Sequence, residues 1–227
     1  MFIDSYYLIL IVPTLLFSLY AQFKVKSTFS KFSEIETRRR ITGAQAAAIL
    51  LKNNGLSNIE VNKVSGDLTD HYDPSKKVLR LSEPVFSKTS VSAVGVAAHE
   101  TGHAIQDKLH YGPLVLRSTL VPVANIGSMA GPYLAMAGLI FGINILLNLG
   151  IIFFGVAVLF YLVTLPVEID ESRRALILLQ QNAILSEEEL QGAKKVLTAA
   201  ALTYIASALT AVASLIRLIL LAKDRRR

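Results

Sequence analysis

Fifty consecutive residues without a charge, Ser118 to Val167, constrain this chain more than any other stretch. One helix of that length would run about 75 Å, more than twice the hydrocarbon thickness of a bilayer. Two antiparallel spans joined near Gly142-Ile143-Asn144 fit far better. Ser5 to Phe23 is a second uncharged run. It is long enough to cross with little tilt, and Pro13 is a place for a kink. No Lys or Arg precedes it, so it reads as a retained anchor rather than a cleavable signal. A last run, Ala199 to Ala222, is interrupted only by Arg217, which can snorkel near an end. That makes four spans.

Composition agrees. Of 227 residues, 52% are hydrophobic and 18% charged, with mean hydropathy +0.49. This is too apolar for an ordinary soluble domain. There are no cysteines, which excludes disulfides, thiolate-bound metal and thiol nucleophiles. The net charge of +6 is the kind carried by basic residues flanking spans. Nothing in the chain has the pattern of a nucleic-acid binding motif.

The expected organisation is a transmembrane anchor over 1–23, a soluble catalytic domain over 24–117 and a transmembrane hairpin over 118–167. Juxtamembrane helices over 168–198, a last span over 199–222 and a basic tail over 223–227 follow. Within the soluble part, Thr42 to Asn54 reads as a helix, with Thr42 as N-cap and Gly55 as the C-terminal stop. Ile59 to Val64 alternates like a strand. Leu68 to Tyr72 and Val78 to Ser82 bracket the turn residues Asp73-Pro74-Ser75-Lys76 as a hairpin. Ser90 to Leu109 is the next helix. Further on, Ser186 and Glu189 have the spacing of a capping box. The fold class expected is α+β, with about four membrane-spanning helices and a small zincin-like helix and sheet domain.

The Ser90–Leu109 helix contains His99-Glu100-Thr101-Gly102-His103, a complete H-E-x-x-H sequence. Residues four apart share a helical face, so the two imidazoles can bind one zinc ion. Glu100 can then act as general base on a water. A catalytic zinc takes three protein ligands and keeps one position open. The third is sought among His71, Asp107, His110, Glu168, Asp170 and Glu171. Asp107 shares a face with His103 but is awkward as a third ligand from one straight helix, and suits orienting an imidazole instead. His110 reads as a loop residue. Glu168 follows Pro166 at the mouth of the third span, where a carboxylate needs a partner. It is therefore preferred as ligand, the alternative being an ion pair with Arg173 or Arg174. His71, Tyr204 or an arginine are candidates to steady the oxyanion.

These residues resemble a known family. Ala97 to Asp107 is similar to the zinc helix of the YugP-like bacterial membrane metallopeptidases, the neutral zinc metallopeptidase family. The resemblance continues in Lys24 to Phe29, Asp70 to Pro74, Leu120 to Asn125, Thr164 to Glu168 and Ala199 to Tyr204. It implies a multi-span zinc protease with one Zn2+ ion, acting on peptide or membrane-protein substrates. It also implies kinship with gluzincin-type proteases, in which a downstream glutamate completes the zinc site; that carries onto Glu168. More distant membrane relatives often have an acid four residues after that glutamate. Here the position is Ser172, with Asp170 and Glu171 nearby; Asp170 and Arg173 are expected to support the site from behind. The metzincin histidine is absent.

The function expected is peptide hydrolysis in the cell membrane, with the active side facing the cytoplasm. Lys24, Lys26, Lys31, Arg38 to Arg40, Lys108, Arg117, Arg173, Arg174, Lys194 and Lys195 all lie near the spans on that side. The basic C-terminal tail points the other way. The edge of the sheet, at the strand near Leu79 to Leu81, would align an extended substrate. The rival readings are a zinc-binding membrane scaffold without turnover and a zinc hydrolase of a lipid or non-peptide amide.

Overall fold

The computed structural model describes residues 4–225. The first three residues of the expected anchor and Arg226-Arg227 of the expected tail lie outside the described residues. Long apolar runs become long helices, and among the described residues four are long and apolar enough to cross a membrane. A π-helical turn over Tyr7–Ile11 leads into α1, Val12–Ser33. Pro13, which lacks an N–H, sits just inside α1 and so close to this wider turn. Then come α2 (Gly43–Asn53), β1 (Glu60–Val64), β2 (His71–Asp73), β3 (Val78–Ser82) and the short α3 (Glu83–Phe86). The expected zinc helix is α4, Val91–Lys108, and α5 (Gly112–Phe141), α6 (Asn144–Gln181) and α7 (Glu187–Arg225) complete the chain. This is an α+β chain with four candidate membrane spans.

Local signals place most boundaries. Thr42 and Gln45 form a capping box at the start of α2, and Gly55 just past its end has φ +66°. Ser90 caps α4, its hydroxyl accepting from the Ala93 N–H. Ser186 and Glu189 close the expected box before α7, the Ser186 N–H donating to Glu189 Oε2 at 2.7 Å. The break between α5 and α6 falls at Gly142-Ile143, with Gly142 at φ +82°. The third span and the segment after it are one helix, α6, and the Ser186 helix runs unbroken into the last span as α7.

The chain divides into two compact units. The first comprises Met1–Gln22, Gly112–Pro166 and Leu202–Arg227. Its centre is an apolar cluster of Ala135, Leu147, Phe154, Ala157, Val158, Ala211, Leu218 and Ala222. Small residues let α5 and α6 touch backbone to backbone: a Cβ on Gly131 would sit 2.8 Å from the Phe154 nitrogen. Arg217 pairs within this unit. Its Nη2 meets Asp4 Oδ2 at 2.5 Å and its guanidinium stacks over the Tyr7 ring.

The second unit comprises Phe23–Tyr111 and Val167–Ala201. Its sheet has the order β1-β3-β2, with β1 parallel and β2 antiparallel to β3. Leu79 to Leu81 therefore lie on the central strand, not on an edge. The parallel partner of β3 is β1, whose paired residues lie 18 positions earlier in the chain, and β3 hydrogen bonds on both sides, so no strand can be added to it. The edges are β1 and β2. The hairpin forms, with Tyr72 opposite Leu79, but its first strand is His71–Asp73: Leu68 to Asp70 fall outside it and Asp73 pairs with Val78 instead of opening the turn.

Helix α4 lies between two apolar clusters of this unit. Val91, Val94 and Ala98 join Leu50, Leu179, Ile184, Leu190 and Leu197. Ala97, Ala104 and Ile105 join Leu51, Ile59, Leu79, Leu81 and Val85. Packing on both flanks fixes both the rotation and the height of the helix, and with them the direction of its two histidines.

Candidate metal centre

His99 and His103 leave α4 on one face, their ring centroids 5.6 Å apart. Facing them, α6 presents Glu168 and Glu171, three residues apart and therefore neighbours on one helical face. Ligand atoms of these four residues all lie within 4.8 Å of one another. Glu171 Oε2 is 2.6 Å from His103 Nε2 and 3.2 Å from His99 Nε2. Glu168 reaches 3.6 Å from His99 Nε2 and 3.7 Å from His103 Nε2. Both carboxylates are fully buried.

Two carboxylates packed on imidazole nitrogens in a dry setting need positive charge among them, either protons or a metal cation. Burial alone would lower the His99 imidazole, but the charges of Glu171 and Glu168 outweigh it and hold that ring above its ordinary value. Histidine nitrogens and carboxylate oxygens are donors that a zinc ion takes where no cysteine is present. The residues therefore fit the ion.

The ring state of His103 follows from Gln106. Its Nε2 donates to the Val167 carbonyl and to Asp170 Oδ2, each at 2.9 Å. Both are acceptors, so the amide orientation is fixed and Oε1 must accept. That oxygen stands 3.1 Å from His103 Nδ1, which is therefore the protonated nitrogen. The lone pair of Nε2 is left directed at the carboxylates, the form a metal needs. Arg174 Nε donates to Asp170 at 2.5 Å and extends the chain one step further. On the other ring, His99 Nδ1 lies 3.3 Å from the Ser172 hydroxyl.

Glu100 is buried beside this group. Burial pushes its carboxyl above the usual range; His99 and His103 pull it back, and Asp70 and Glu168 push it further up. Asp70 is itself held by the Ser82 N–H at 2.7 Å and by the Ser82 hydroxyl. Gly102 explains itself here. A Cβ on it would be 2.7 Å from Glu171 Cγ, so the glycine is what admits that side chain.

The remaining expected residues are placed as follows. Asp107 is engaged away from the metal ligands: it accepts from the Tyr72 hydroxyl at 2.7 Å and pairs with Lys77. The residue that contacts His103 from the same helix is Gln106, three positions on. Asp170 acts on His103 through Gln106, and its arginine is Arg174 rather than Arg173. Arg173 lines a cavity of about 430 Å³ with Ser172, Lys194, Leu176, Leu197 and Thr198. His71 is exposed on β2, with Nδ1 2.8 Å from the Thr69 carbonyl and Nε2 3.2 Å from Arg80 Nη1. It is outside the group of four among the described residues. Tyr204 belongs to α7 within the first unit.

Residues 7–223 match the model of a family described as "Putative neutral zinc metallopeptidase". The chain belongs to this family. It is also 46% identical over 215 residues to a Bacillus subtilis protein named "Putative membrane protease YugP", covering 95% of this chain and 96% of that one. No solved structure matches it. The relative is named a membrane protease, and four helices among the described residues of this chain are long and apolar enough to cross a membrane. The histidine and glutamate group lies within the matched residues.

Proposed function

We propose that this chain is an integral-membrane zinc endopeptidase of the gluzincin type, with His99, His103 and Glu168 as ligands of one zinc ion and Glu100 as general base. The observation that carries the reading is a donor set with three of its four residues buried and His103 partly so, with Glu100 adjacent in sequence and itself buried. When bound, zinc supplies a Lewis acid for the scissile carbonyl and makes water a nucleophile near neutral pH. The protein groups do the rest. Glu100 accepts the proton of the attacking water and returns it to the departing amine. Burial, which raises the Glu100 carboxyl, brings it closer to the range where both transfers are easy. Gln106 holds His103 in the tautomer whose Nε2 faces the centre.

The chain crosses the bilayer four times on this reading, with the second unit on the cytoplasmic side, where the basic residues of the loops collect. Its substrates are peptides or membrane proteins. A purified full-length chain in detergent should cleave an unfolded protein substrate, lose the activity to a chelator and regain it with added zinc. Glu100→Gln should keep its zinc and lose about 10²–10⁴-fold in rate. Hydrolysis that persists after chelation, or in that variant, overturns the assignment.

One observation favours a second reading. Four protein donors converge on one point, and a zinc held by four protein ligands is the mark of a structural site. A metal-stabilised membrane scaffold would have that centre and no turnover.

A further inference from the structure

We propose that the groove between α6 and α7 that holds Arg173 and Lys194 is a binding site for an anionic phospholipid of the surrounding bilayer. The inference goes beyond the peptidase reading and does not depend on turnover.

Chemistry is the first argument. Arg173 and Lys194 line a groove of about 430 Å³ whose walls include Leu176, Leu197 and the exposed Ile169 and Ile177. Neither cation forms an ion pair or hydrogen bond among the described residues. Asp170 feels the Arg173 charge, but its Oδ2 is taken by Arg174 and Gln106. Two positive charges at one concavity raise the local potential for an anion. A guanidinium offers paired N–H donors to phosphate oxygens, and an ammonium adds a point charge. The two isoleucines beside them call for hydrocarbon. A phospholipid brings both; an acidic peptide would satisfy the cations and leave Ile169 and Ile177 uncovered.

Depth is the second. The charge-free part of α6 runs from Asn144 to Val167, about 36 Å of helix, which fills the hydrocarbon layer. The charge-free part of α7 begins at Val196. Arg173 stands less than two turns past the first boundary and Lys194 just before the second, so both reach headgroup level. Basic pockets between spans at that level are where anionic headgroups bind. The groove is also not the approach to the metal. Ile169, Arg173 and Leu176 follow helical spacing along one face of α6, whereas Glu168 and Glu171 leave it from another. Ser172 stands between the two faces: it lines the groove, and its hydroxyl is 3.3 Å from His99 Nδ1. A headgroup seated there lies one side chain away from the metal centre.

The experiment melts the full-length chain in non-ionic detergent with added phosphatidylglycerol, phosphatidylcholine, inorganic phosphate or a peptide of consecutive glutamates. Two double variants each remove two positive charges. R173Q/K194Q empties the groove of charge, and K24Q/K26Q does the same on exposed positions of α1. Arg173 and Lys194 are exposed, so without lipid R173Q/K194Q should melt as the wild type does. Phosphatidylglycerol should raise Tm by several degrees in the wild type and in K24Q/K26Q, since a ligand of the folded state stabilises it by mass action. R173Q/K194Q should lose most of that rise, and the other three additives should give little in any protein. A rise that survives in R173Q/K194Q, or that K24Q/K26Q loses equally, would reduce the effect to diffuse attraction and overturn the site. An equal rise with phosphatidylcholine removes headgroup selection and overturns it too. Equal rises with inorganic phosphate or with the acidic peptide would give the groove to a free anion or to a protein segment, and either overturns the lipid assignment. None of these results bears on hydrolysis, so the peptidase reading is tested apart from this one.

Discussion

Gln106 Oε1 stands 3.1 Å from His103 Nδ1 while the same amide donates to the Val167 carbonyl and to Asp170, so one side chain joins α4 to α6 and sets the protonation of an imidazole. Gln106 is wholly buried, shielded from bulk solvent.

Gln106→Leu should therefore weaken metal binding even though position 106 is not a ligand. Loss of a partner that orients a ligating histidine typically costs 10–100-fold in affinity. Zinc competition with a coloured chelator measures it. Affinity equal to that of the wild type would mean that His103 is held by packing alone.

Acid sensitivity of the sheet-to-helix contact should centre on Asp107. Burial pushes its carboxyl up, but the Lys77 and Tyr72 hydrogen bonds outweigh this and hold it below the usual carboxylate range. A carboxyl depressed in the folded state adds stability above its unfolded value, near pH 4, and that contribution disappears as pH falls through the folded value. Asp107→Asn should thus lower Tm at pH 7, and the gap to the wild type should narrow on acidification below pH 4. A gap that stays constant or widens in acid contradicts this role.

Because the chain has no cysteine, topology can be read with a single introduced thiol. Lys76 is exposed in the β2–β3 turn of the second unit. With the second unit cytoplasmic, Lys76→Cys should resist a membrane-impermeant maleimide in intact cells and react once they are opened. Labelling in intact cells would invert the orientation.

Much of this was legible in the sequence because it is local. The spacing of His99 and His103 fixes a shared face, the caps at Thr42, Ser90 and Ser186 fix helix starts, and charge-free runs fix spans. Glu168 stood out because a carboxylate at the end of an apolar run needs a partner. Glu171 was only one of several candidates, since its role depends on α6 continuing unbroken past Pro166, which a proline argues against. Given one helix, positions three apart would have put both glutamates on one face. The same rule, applied from His103, would have reached Gln106 in place of Asp107. Strand order was out of reach, because β1 pairs with β3 across the intervening β2 and only tertiary packing decides that.

The account stands or falls on the metal count of the purified full-length chain and its ligand variants. About one zinc per chain should be found in the wild type and in Glu100→Gln, which would be inactive, and little in His99→Ala, His103→Ala or Glu168→Ala. Full zinc occupancy in Glu168→Ala, or hydrolysis by metal-free protein, would contradict it.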